Sequence, residues 1–463
     1  MATPELLTSR LVTADRGNFV SRRTGGACAA GSGVRGLVRP GVAVMAELLT
    51  VASMVWALRL VESRWGVEGL GEYLNMRRAI PLLQLPCLCG IGLGLCRLVA
   101  MSGGERGGEE RWRLLGSALA IVAVALSLFM AGVWAAAEPL SRLLLGTAVD
   151  PLAMLAVSFC LPGLVLHGVI HGWLSGHMRT PLACLLQWAN LGLLPLATIF
   201  LAPPGVAAYF AWLGVGWGVF SALVLATILV TDRAGRRNLW PDRKSIVRLL
   251  TYGLPRVPTE FLWGAYTALP TLLLIYVAQD PRQGLAEVAY LGTAISAVAM
   301  LGSGFAPLGQ ITLPMTSAEL HRGDLTGIRR RLVRLTGVTL GLAIALTMVG
   351  WLLTPLLLGG YFGPRMLPAS PVVRLVLLGG VPYCMYVVLR SFLDALSPFP
   401  INGKNIALAM LFLATIGLAL GSVNLIPVAF CGSLFVLGIA SLADGWRLTA
   451  AGRVQAASPR RGP

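Results

Sequence analysis

Long apolar runs, separated by short polar stretches, follow one another along most of the chain. A helix needs about 20 apolar residues to cross the hydrocarbon core of a bilayer. Scanning for apolar windows of that length predicts twelve membrane-spanning helices. The predicted spans are residues 41–60, 73–99, 114–137, 151–175, 183–202, 206–230, 250–278, 287–314, 335–358, 370–390, 404–421 and 425–443.

The composition agrees with this pattern. The chain has 463 residues, of which 56% are hydrophobic and 12% are charged. A water-soluble domain of this size carries about 25% charged residues. The composition therefore excludes a soluble fold and leaves no room for a large soluble domain beside twelve spans.

The formal charge of +17 would suit a nucleic-acid-binding protein only if the basic residues formed a continuous patch. They form short clusters between apolar runs instead. If the N-terminus is cytoplasmic, 28 of the 37 basic residues fall on the inner side, five on the outer side and four within spans. This asymmetry predicts that both termini are cytoplasmic. We expect no nucleic-acid partner.

The same scan divides the chain into two halves of six spans. We expect a flexible cytoplasmic arm over residues 1–33, an N-lobe over 34–231, and a C-lobe over 250–445. Residues 232–249 are predicted to form a basic cytoplasmic linker between the lobes, and residues 446–463 a cytoplasmic tail. The linker is also typical of a topological anchor that lies against anionic lipid head groups.

An internal repeat relates the two halves at a constant offset of 217 residues. Because each half contains an even number of spans, both halves enter the membrane in the same direction. This predicts a parallel repeat about an axis along the membrane normal. The aligned identities include Gly36-Leu37 with Gly253-Leu254, Arg39 with Arg256, and Tyr73-Leu74 with Tyr290-Leu291.

Three segments carry a resemblance to a known family. They are GVEGLGEYL at residues 66–74, GLPR at residues 253–256, and LPMTSAELHRGDLTGIRRRLVR at residues 313–334. Together with the twelve spans, they resemble the multidrug/oligosaccharidyl-lipid/polysaccharide (MOP) flippase superfamily. Within it they are most similar to the polysaccharide-lipid branch, the Wzx-type O-antigen flippases. The resemblance covers residues 34–445.

This resemblance implies an all-α polytopic membrane protein, with two six-helix lobes in the V shape of MATE and MOP transporters. It also implies a central cavity for a polyprenyl-diphosphate-linked glycan, used in polysaccharide or lipopolysaccharide assembly at the bacterial inner membrane. No cofactor and no ATP hydrolysis are expected. The sequence agrees, because it contains no G-x-x-x-x-G-K-[ST] phosphate loop.

The second span holds the strongest candidate site. A charge at the bilayer centre costs at least about 2.5 kcal/mol, so ionisable groups within spans normally face a polar interior. Arg77 and Gln84 share a helical face, and Arg78 lies about 100° away. A guanidinium offers a planar fork of donors that matches phosphate oxygens. We predict that Arg77 or Arg78 holds a diphosphate; the alternative is snorkelling to the outer interface.

Arg256 and Glu260 form a second candidate pair near the start of the seventh span. They are four residues apart, so they would either pair on one helical face or receive substrate and coupling ion separately. Pro255 and Pro258 flank Arg256. These prolines are typical both of a kinked gating element and of an ordinary helix start.

Glu47 is the only acidic residue of the first span, and a carboxylate within the membrane is a natural carrier of H⁺ or Na⁺. It would equally form a structural salt bridge with Arg39 or Arg256. His167 and His171 lie at i and i+4 in the fourth span. We expect them to pack, because two histidines without a third ligand do not define a metal site.

Three functions compete on these features: a flippase for a lipid-linked glycan, a drug or metabolite exporter coupled to Na⁺ or H⁺, and a membrane-embedded glycan-processing enzyme. The excess of arginine over acid within the spans favours an anionic cargo. The outer loops are short and contain no histidine, which disfavours an enzyme. We expect a lipid-linked glycan and membrane lipids as partners.

Overall fold

The computed structural model describes residues 33–102, 107–146, 153–231, 238–322, 325–397 and 401–450. Contacts divide the chain into one unit over residues 1–41 and another over residues 42–463. Of the predicted N-terminal arm, residues 1–32 lie outside the described residues, as does the predicted tail from residue 451 onward.

Every regular element of the described residues is a helix. The α-helices are α1 Gly33–Leu88, α2 Ile91–Met101, α3 Gly107–Ala135, α4 Ala137–Leu145, α5 Ala153–Ser158, α6 Cys160–Gly176, α7 Thr180–Trp188, α8 Leu194–Leu201, α9 Val206–Thr231, α10 Arg243–Gly253, α11 Val257–Val277, α12 Pro281–Arg322, α13 Leu325–Leu357, α14 Ser370–Leu378, α15 Gly380–Leu396, α16 Ile401–Leu420 and α17 Ile426–Ala450. Short π and 3₁₀ turns join several of them, including a π segment at Ala189–Leu193 and a 3₁₀ turn at Leu254–Arg256.

Nine helical segments of the described residues are long and apolar enough to cross a membrane, and two bent pairs raise the number to eleven. The bent pairs are Met45–Leu88 with Ile91–Met101, and Pro364–Leu378 with Gly380–Leu396. The twelve predicted spans fall on these eleven segments, because the first two, residues 41–60 and 73–99, share the first bent pair. The structure thus confirms the predicted fold class, a polytopic all-α membrane protein.

Gly66 separates the first two predicted spans within α1. Its φ of 72° and ψ of −173° lie outside the helical region, in a conformation that a side chain would disfavour. The chain therefore bends at Gly66, with one helical arm before it and another after it. A further break follows at Cys89 and Gly90, both with positive φ, where α2 leaves α1 at an angle of 49°.

A continuous apolar core joins helices from both halves of the chain. In the first half α6 packs against α2 and α9, and in the second half α12 and α17 pack against α15. Large apolar side chains also remain exposed on the outer faces of several helices. Examples are Leu128 of α3 at 72%, Leu223 of α9 at 63% and Leu356 of α13 at 70% exposure. A lipid-facing surface explains such exposure in a chain of this composition.

The two halves meet most closely where α1 crosses α12. A Cβ atom placed on Gly71 would lie 1.9 Å from the backbone oxygen of Leu285, and one on Gly292 would lie 2.7 Å from the side chain of Leu74. Only glycine permits this approach of the two backbones. The 217-residue repeat relates Leu74 to Leu291. Leu74 lies at this crossing, and Leu291 is the chain neighbour of Gly292, which Leu74 contacts.

Side-chain contacts group the loops into two ends of the molecule. At one end Arg64 donates to the carbonyl of Ala202 over 2.9 Å, and the Tyr276 hydroxyl donates to the carbonyl of Leu143 over 2.7 Å. We call this the opposite end, because it lies across the helices from the basic end that is described next. At the other end Arg248 bonds to Glu110, and Lys404 to Asp444 over 2.6 Å.

We call the second end the basic end, because most of the described arginines and lysines lie there. They are Arg97, Arg111, Arg113, Arg179, Arg243, Lys244, Arg248, Arg256, Arg329, Arg330, Arg331, Arg334, Arg390, Lys404 and Arg447. Those near the opposite end are Arg59, Arg64, Arg142, Arg282 and Arg365. The predicted charge asymmetry is therefore also an asymmetry between the two ends of the helices.

The α1–α12 crossing generates a stability prediction. Gly71→Ala forces α1 away from the Leu285 carbonyl and should lower the stability of the protein by about 1 to 3 kcal/mol. Gly216→Ala in α9 is the matched control, because its Cβ would meet open space and alanine favours a helix by about 1 kcal/mol. Thermal unfolding in detergent measures both changes. Equal melting temperatures for the two variants would contradict the close approach.

Candidate functional site

A cavity of about 230 Å³ lies within the first half of the helices. Both arms of α1, together with α6, α9 and the π segment, form its walls. Its polar and aromatic lining includes Ser53, Tyr73, Arg77, Gln84, Tyr209 and Trp217. We call it the N-lobe cavity. Arg77 and Gln84, which the sequence predicts on one helical face, both line it.

Arg77 lies well inside the helix that follows Gly66. It is eleven residues beyond this bend, which corresponds to about 16 Å along a helix. That depth argues against simple snorkelling to the opposite end. Among the described residues, no hydrogen bond or ion pair neutralises its guanidinium. The cavity therefore contains a positive charge that no described side chain pairs with.

Aromatic rings form one wall of the N-lobe cavity. The ring of Tyr73 lies 5.6 Å from that of Tyr209 and 5.6 Å from that of Phe210, and Trp65 contacts Tyr209 edge-on at 5.7 Å. The indole of Trp217 donates to the carbonyl of Asn190 over 2.5 Å. This packing holds the wall rigidly around the charge of Arg77.

Gln84 continues the polar face of α1 beyond Arg77. Its Nε2 donates to the carbonyl of Leu164 over 3.4 Å, which fixes the amide against α6. Its Oε1 has no hydrogen bond within the described part of the chain. The cavity therefore offers an acceptor at one side and a cationic donor group at the other.

Arg78 points away from this cavity and toward α12. Its Nη2 donates to the carbonyl of Gly292 over 2.8 Å, across the crossing of the two halves. Its Nη1 is buried without a hydrogen-bond partner in the described residues. The structure therefore separates the two adjacent arginines: Arg77 faces a cavity, while Arg78 joins the two halves.

Arg256 does not reach the N-lobe cavity. It lies exposed at the basic end, where its Nη1 donates to the carbonyl of Tyr252 over 2.8 Å and its guanidinium stacks on the Tyr252 ring at 3.9 Å. It forms no ion pair with Glu260 in the described residues. The sequence predicts Arg256 within the seventh span. In the structure it lies in a 3₁₀ turn between α10 and α11.

Glu260 lines a second cavity, of about 240 Å³, together with Gly90, Cys96 and His171. This cavity lies where α2 and α6 of the first half meet α11 of the second. Charges on Arg390 and Arg256 act on Glu260 through space. Glu260 is therefore separate from Arg77.

On α15, close to Arg390, the carboxylate of Asp394 accepts a 2.7 Å hydrogen bond from Asn402. This bond joins the end of α15 to the start of α16 at the basic end. The second half of the chain thus places two carboxylates, those of Glu260 and Asp394, within the electrostatic reach of the same two arginines, Arg256 and Arg390.

Glu47 lies on the first arm of α1, against α7. Its Oε2 accepts a 3.4 Å hydrogen bond from Gln187, and the neighbouring indole of Trp188 donates to Ser53 over 3.3 Å. Glu47 is half-buried and does not line the N-lobe cavity. The side chain of its predicted alternative partner, Arg39, lies outside the described residues. The ion-coupling role of Glu47 stays a prediction.

The aromatic wall was not predicted from the sequence. One signal for it was present, because Tyr73, Arg77 and Gln84 recur at i, i+4 and i+11 and so share a helical face. No such signal exists for Tyr209 and Trp217, which reach the cavity from α9 and depend on how α9 packs against α6.

Solved structures with a similar fold are membrane transporters. An inward-facing multidrug resistance MATE family transporter of the MOP superfamily superposes with a TM-score of 0.69 at 15% identity, covering 91% of this chain and 99% of that one. The lipid II flippase MurJ, in an inward closed conformation, gives 0.69 at 13% identity and covers 89% and 87%. An outward-facing MATE family transporter gives 0.61 at 15% identity and covers 90% and 96%.

These likenesses extend over nearly the whole chain and show its fold, which it shares with these MATE family transporters and with MurJ. The chain is a multi-pass membrane protein with this fold. No protein-family model matches the sequence, and no curated protein matches it at a significant level. The likeness does not distinguish the predicted O-antigen branch from the other branches.

The two adjacent arginines generate a second stability prediction. Arg78→Met removes the bond to Gly292 and should destabilise the protein by about 1 to 3 kcal/mol. Arg77→Met removes a charge without a partner and should leave stability unchanged or raise it. Thermal unfolding of the purified variants measures this difference. An equal loss in both variants would assign Arg77 a structural role.

Proposed function

We propose that this protein is a flippase, which translocates a polyprenyl-diphosphate-linked oligosaccharide or polysaccharide precursor by alternating access. The observation that carries the proposal is the charge of Arg77, which lines the N-lobe cavity and forms no ion pair with any residue that the structure describes. A membrane protein keeps such a charge at a cost of at least about 2.5 kcal/mol. An anionic cargo would recover that cost each time it binds.

The chemistry of Arg77 suits a diphosphate. The guanidinium stays protonated and presents donors in a plane, so two of them can bond to two oxygens of one phosphate. In a cavity walled by aromatic rings, this attraction is less screened than in water. The hydroxyl group of Tyr73, which lines the same cavity, would add a further donor beside the head group.

The size of the cavity indicates that only one part of the cargo binds inside it. A volume of about 230 Å³ receives a compact head group rather than a whole lipid-linked glycan. The polyprenyl tail would stay in the surrounding lipid, against the exposed apolar faces of the helices, and the sugars would lie outside this cavity. The N-lobe cavity would thus hold the diphosphate and leave the rest of the cargo unrestrained.

The arrangement of the two halves supports alternating access. The chain superposes better on an inward-facing MATE family transporter, at a TM-score of 0.69, than on an outward-facing one, at 0.61. At the opposite end, a hydrogen bond from the Tyr276 hydroxyl to the Leu143 carbonyl joins α11 of the second half to α4 of the first. We infer that the basic end faces the cytoplasm of a bacterial inner membrane, with both termini inside, and that the cargo shifts the populations of the two states.

A second candidate function is an ion-coupled exporter of drugs or metabolites. It is supported by the equal TM-score of 0.69 that the MATE family transporter and MurJ give. Glu260 and Asp394 also favour it, because two carboxylates in one lobe can carry H⁺ or Na⁺ or receive a cationic compound. The unneutralised Arg77 argues against a cationic cargo in the N-lobe.

The test is transport of a fluorescent polyprenyl-diphosphate-linked glycan in proteoliposomes. Arg77→Ala should lower the rate at least about tenfold, because it removes the charge that binds the diphosphate. Arg374→Ala is the matched control: Arg374 also lies within a span, but it donates to the Trp351 carbonyl over 3.2 Å and lines no described part of the N-lobe cavity. The control should transport at the rate of the parent protein.

The exporter function predicts a different result in the same vesicles. An Na⁺ or H⁺ gradient would drive efflux of a small organic cation, and Glu260→Gln would abolish it while Arg77→Ala would not. Efflux of this kind, without transport of the lipid-linked glycan, would contradict the flippase proposal.

A further inference from the structure

Two arginines share one tyrosine ring at the basic end. The guanidinium of Arg97, on α2, lies 4.8 Å from the centre of the Tyr252 ring, and that of Arg256 lies 3.9 Å from it. Arg97 lies at the end of the second predicted span, whereas Arg256 immediately precedes α11 of the second half. The pair therefore brings together a cation from each half of the molecule.

Close backbone packing holds this arrangement in place. A Cβ atom on Gly90 would lie 2.4 Å from the backbone oxygen of Gly253, so the start of α2 and the end of α10 touch directly. Gly94 lies one turn further along α2, and the Tyr252 ring packs over it. Arg97, three residues beyond Gly94 on the same face, then meets the ring.

Neither guanidinium has an ion pair among the described residues. Arg256 spends one donor, Nη1, on the Tyr252 carbonyl, and Arg97 has no hydrogen bond in the described part of the chain. Glu260 is the nearest acid along α11, yet it lines the second cavity and lies in the field of Arg390 as well. Two positive charges are thus held together with most of their donors unused.

Stacking explains why these donors remain available. A guanidinium on the face of an aromatic ring gains cation–π attraction through its plane, and its N–H groups project from its edge. Two cations that contact one ring and keep free donors suit an oxyanion with several oxygens. A phosphate or diphosphate fits this requirement better than a single carboxylate.

The surroundings indicate that this phosphate is attached to a lipid. Large apolar side chains next to the two arginines are exposed, with Leu93 at 52%, Met101 at 63% and Leu254 at 56%. Exposed apolar groups beside fixed cations are typical of the level where head groups meet acyl chains. A soluble anion would not contact these exposed apolar side chains, whereas the chain of a lipid would.

We propose that Arg97 and Arg256, oriented by Tyr252, form a docking site for the diphosphate of the cargo at the basic end. The site is separate from the N-lobe cavity and would bind the lipid-linked substrate before its head group enters the cavity and meets Arg77. This assignment rests on the proposed flippase function. The other source of the same chemistry is the head group of a resident anionic phospholipid.

Binding measurements in phosphatidylcholine nanodiscs test this site. The probe is a fluorescent polyprenyl diphosphate without a glycan, and every protein carries Arg77→Gln to remove the cavity site. Arg97→Gln with Arg256→Gln should weaken probe binding at least about tenfold. Arg447→Gln is the matched control, because Arg447 is exposed at the same end and has no partner among the described residues. It should bind as the Arg77→Gln protein does.

Two variants of Tyr252 distinguish docking at this site from a general effect of the positive charges on probe binding. Tyr252→Phe keeps the ring and should keep probe binding, whereas Tyr252→Leu removes the ring and should weaken binding with both arginines in place. If the double variant, Arg97→Gln with Arg256→Gln, binds the probe as tightly as the Arg447→Gln control, the proposed site is wrong. Displacement of the probe by an equal concentration of phosphatidylglycerol would also overturn it, because the site would then hold a resident phospholipid.

Transport distinguishes failure of this site from failure of the proposed function. If the parent protein flips the lipid-linked glycan and the double variant does so with an unchanged KM, the docking site is wrong and the flippase stands. If the probe binds as expected but the parent protein flips no lipid-linked glycan, the flippase is wrong, and so is docking as a step of transport.

Discussion

A guanidinium within the hydrocarbon of a membrane needs a polar partner, and the account of this protein depends on how two adjacent arginines meet that need. Arg78 meets it inside the protein, through the carbonyl of Gly292. Arg77 lies about 100° further around the same helix and faces a cavity in which no described residue neutralises it. One helix thus carries an arginine that joins the two halves and another that is free to bind a ligand.

The close crossing of α1 and α12 makes this division possible. Gly71 and Gly292 let the two backbones touch, so the carbonyl of Gly292 comes within reach of Arg78. The same crossing directs the other face of α1 toward α6 and α9, which complete the N-lobe cavity. A second glycine contact, between Gly90 and Gly253, brings Arg97 to Tyr252 at the basic end. Backbone contacts therefore position both groups of cations.

The sequence predicted the fold class well, because membrane spans are defined by local composition and every predicted span lies on helical segments. It did not predict the breaks within the spans 73–99 and 370–390. It also placed Arg77 and Gln84 on one face, since helical spacing is a local property. It did not predict that Arg78 faces α12 or that Arg256 stacks on Tyr252 outside the cavity. Both depend on contacts between residues far apart in the chain, as does the approach of Tyr209 and Trp217 from α9, and periodicity within one helix carries no information on them.

The most direct measurement is an experimental structure of the protein in nanodiscs with a polyprenyl-diphosphate-linked glycan bound. The account predicts phosphate density in the N-lobe cavity, within hydrogen-bonding distance of the Arg77 guanidinium, and the polyprenyl chain in the surrounding lipid. A bound cargo whose phosphates contact no residue of that cavity, or a cavity occupied by a cation, would contradict it.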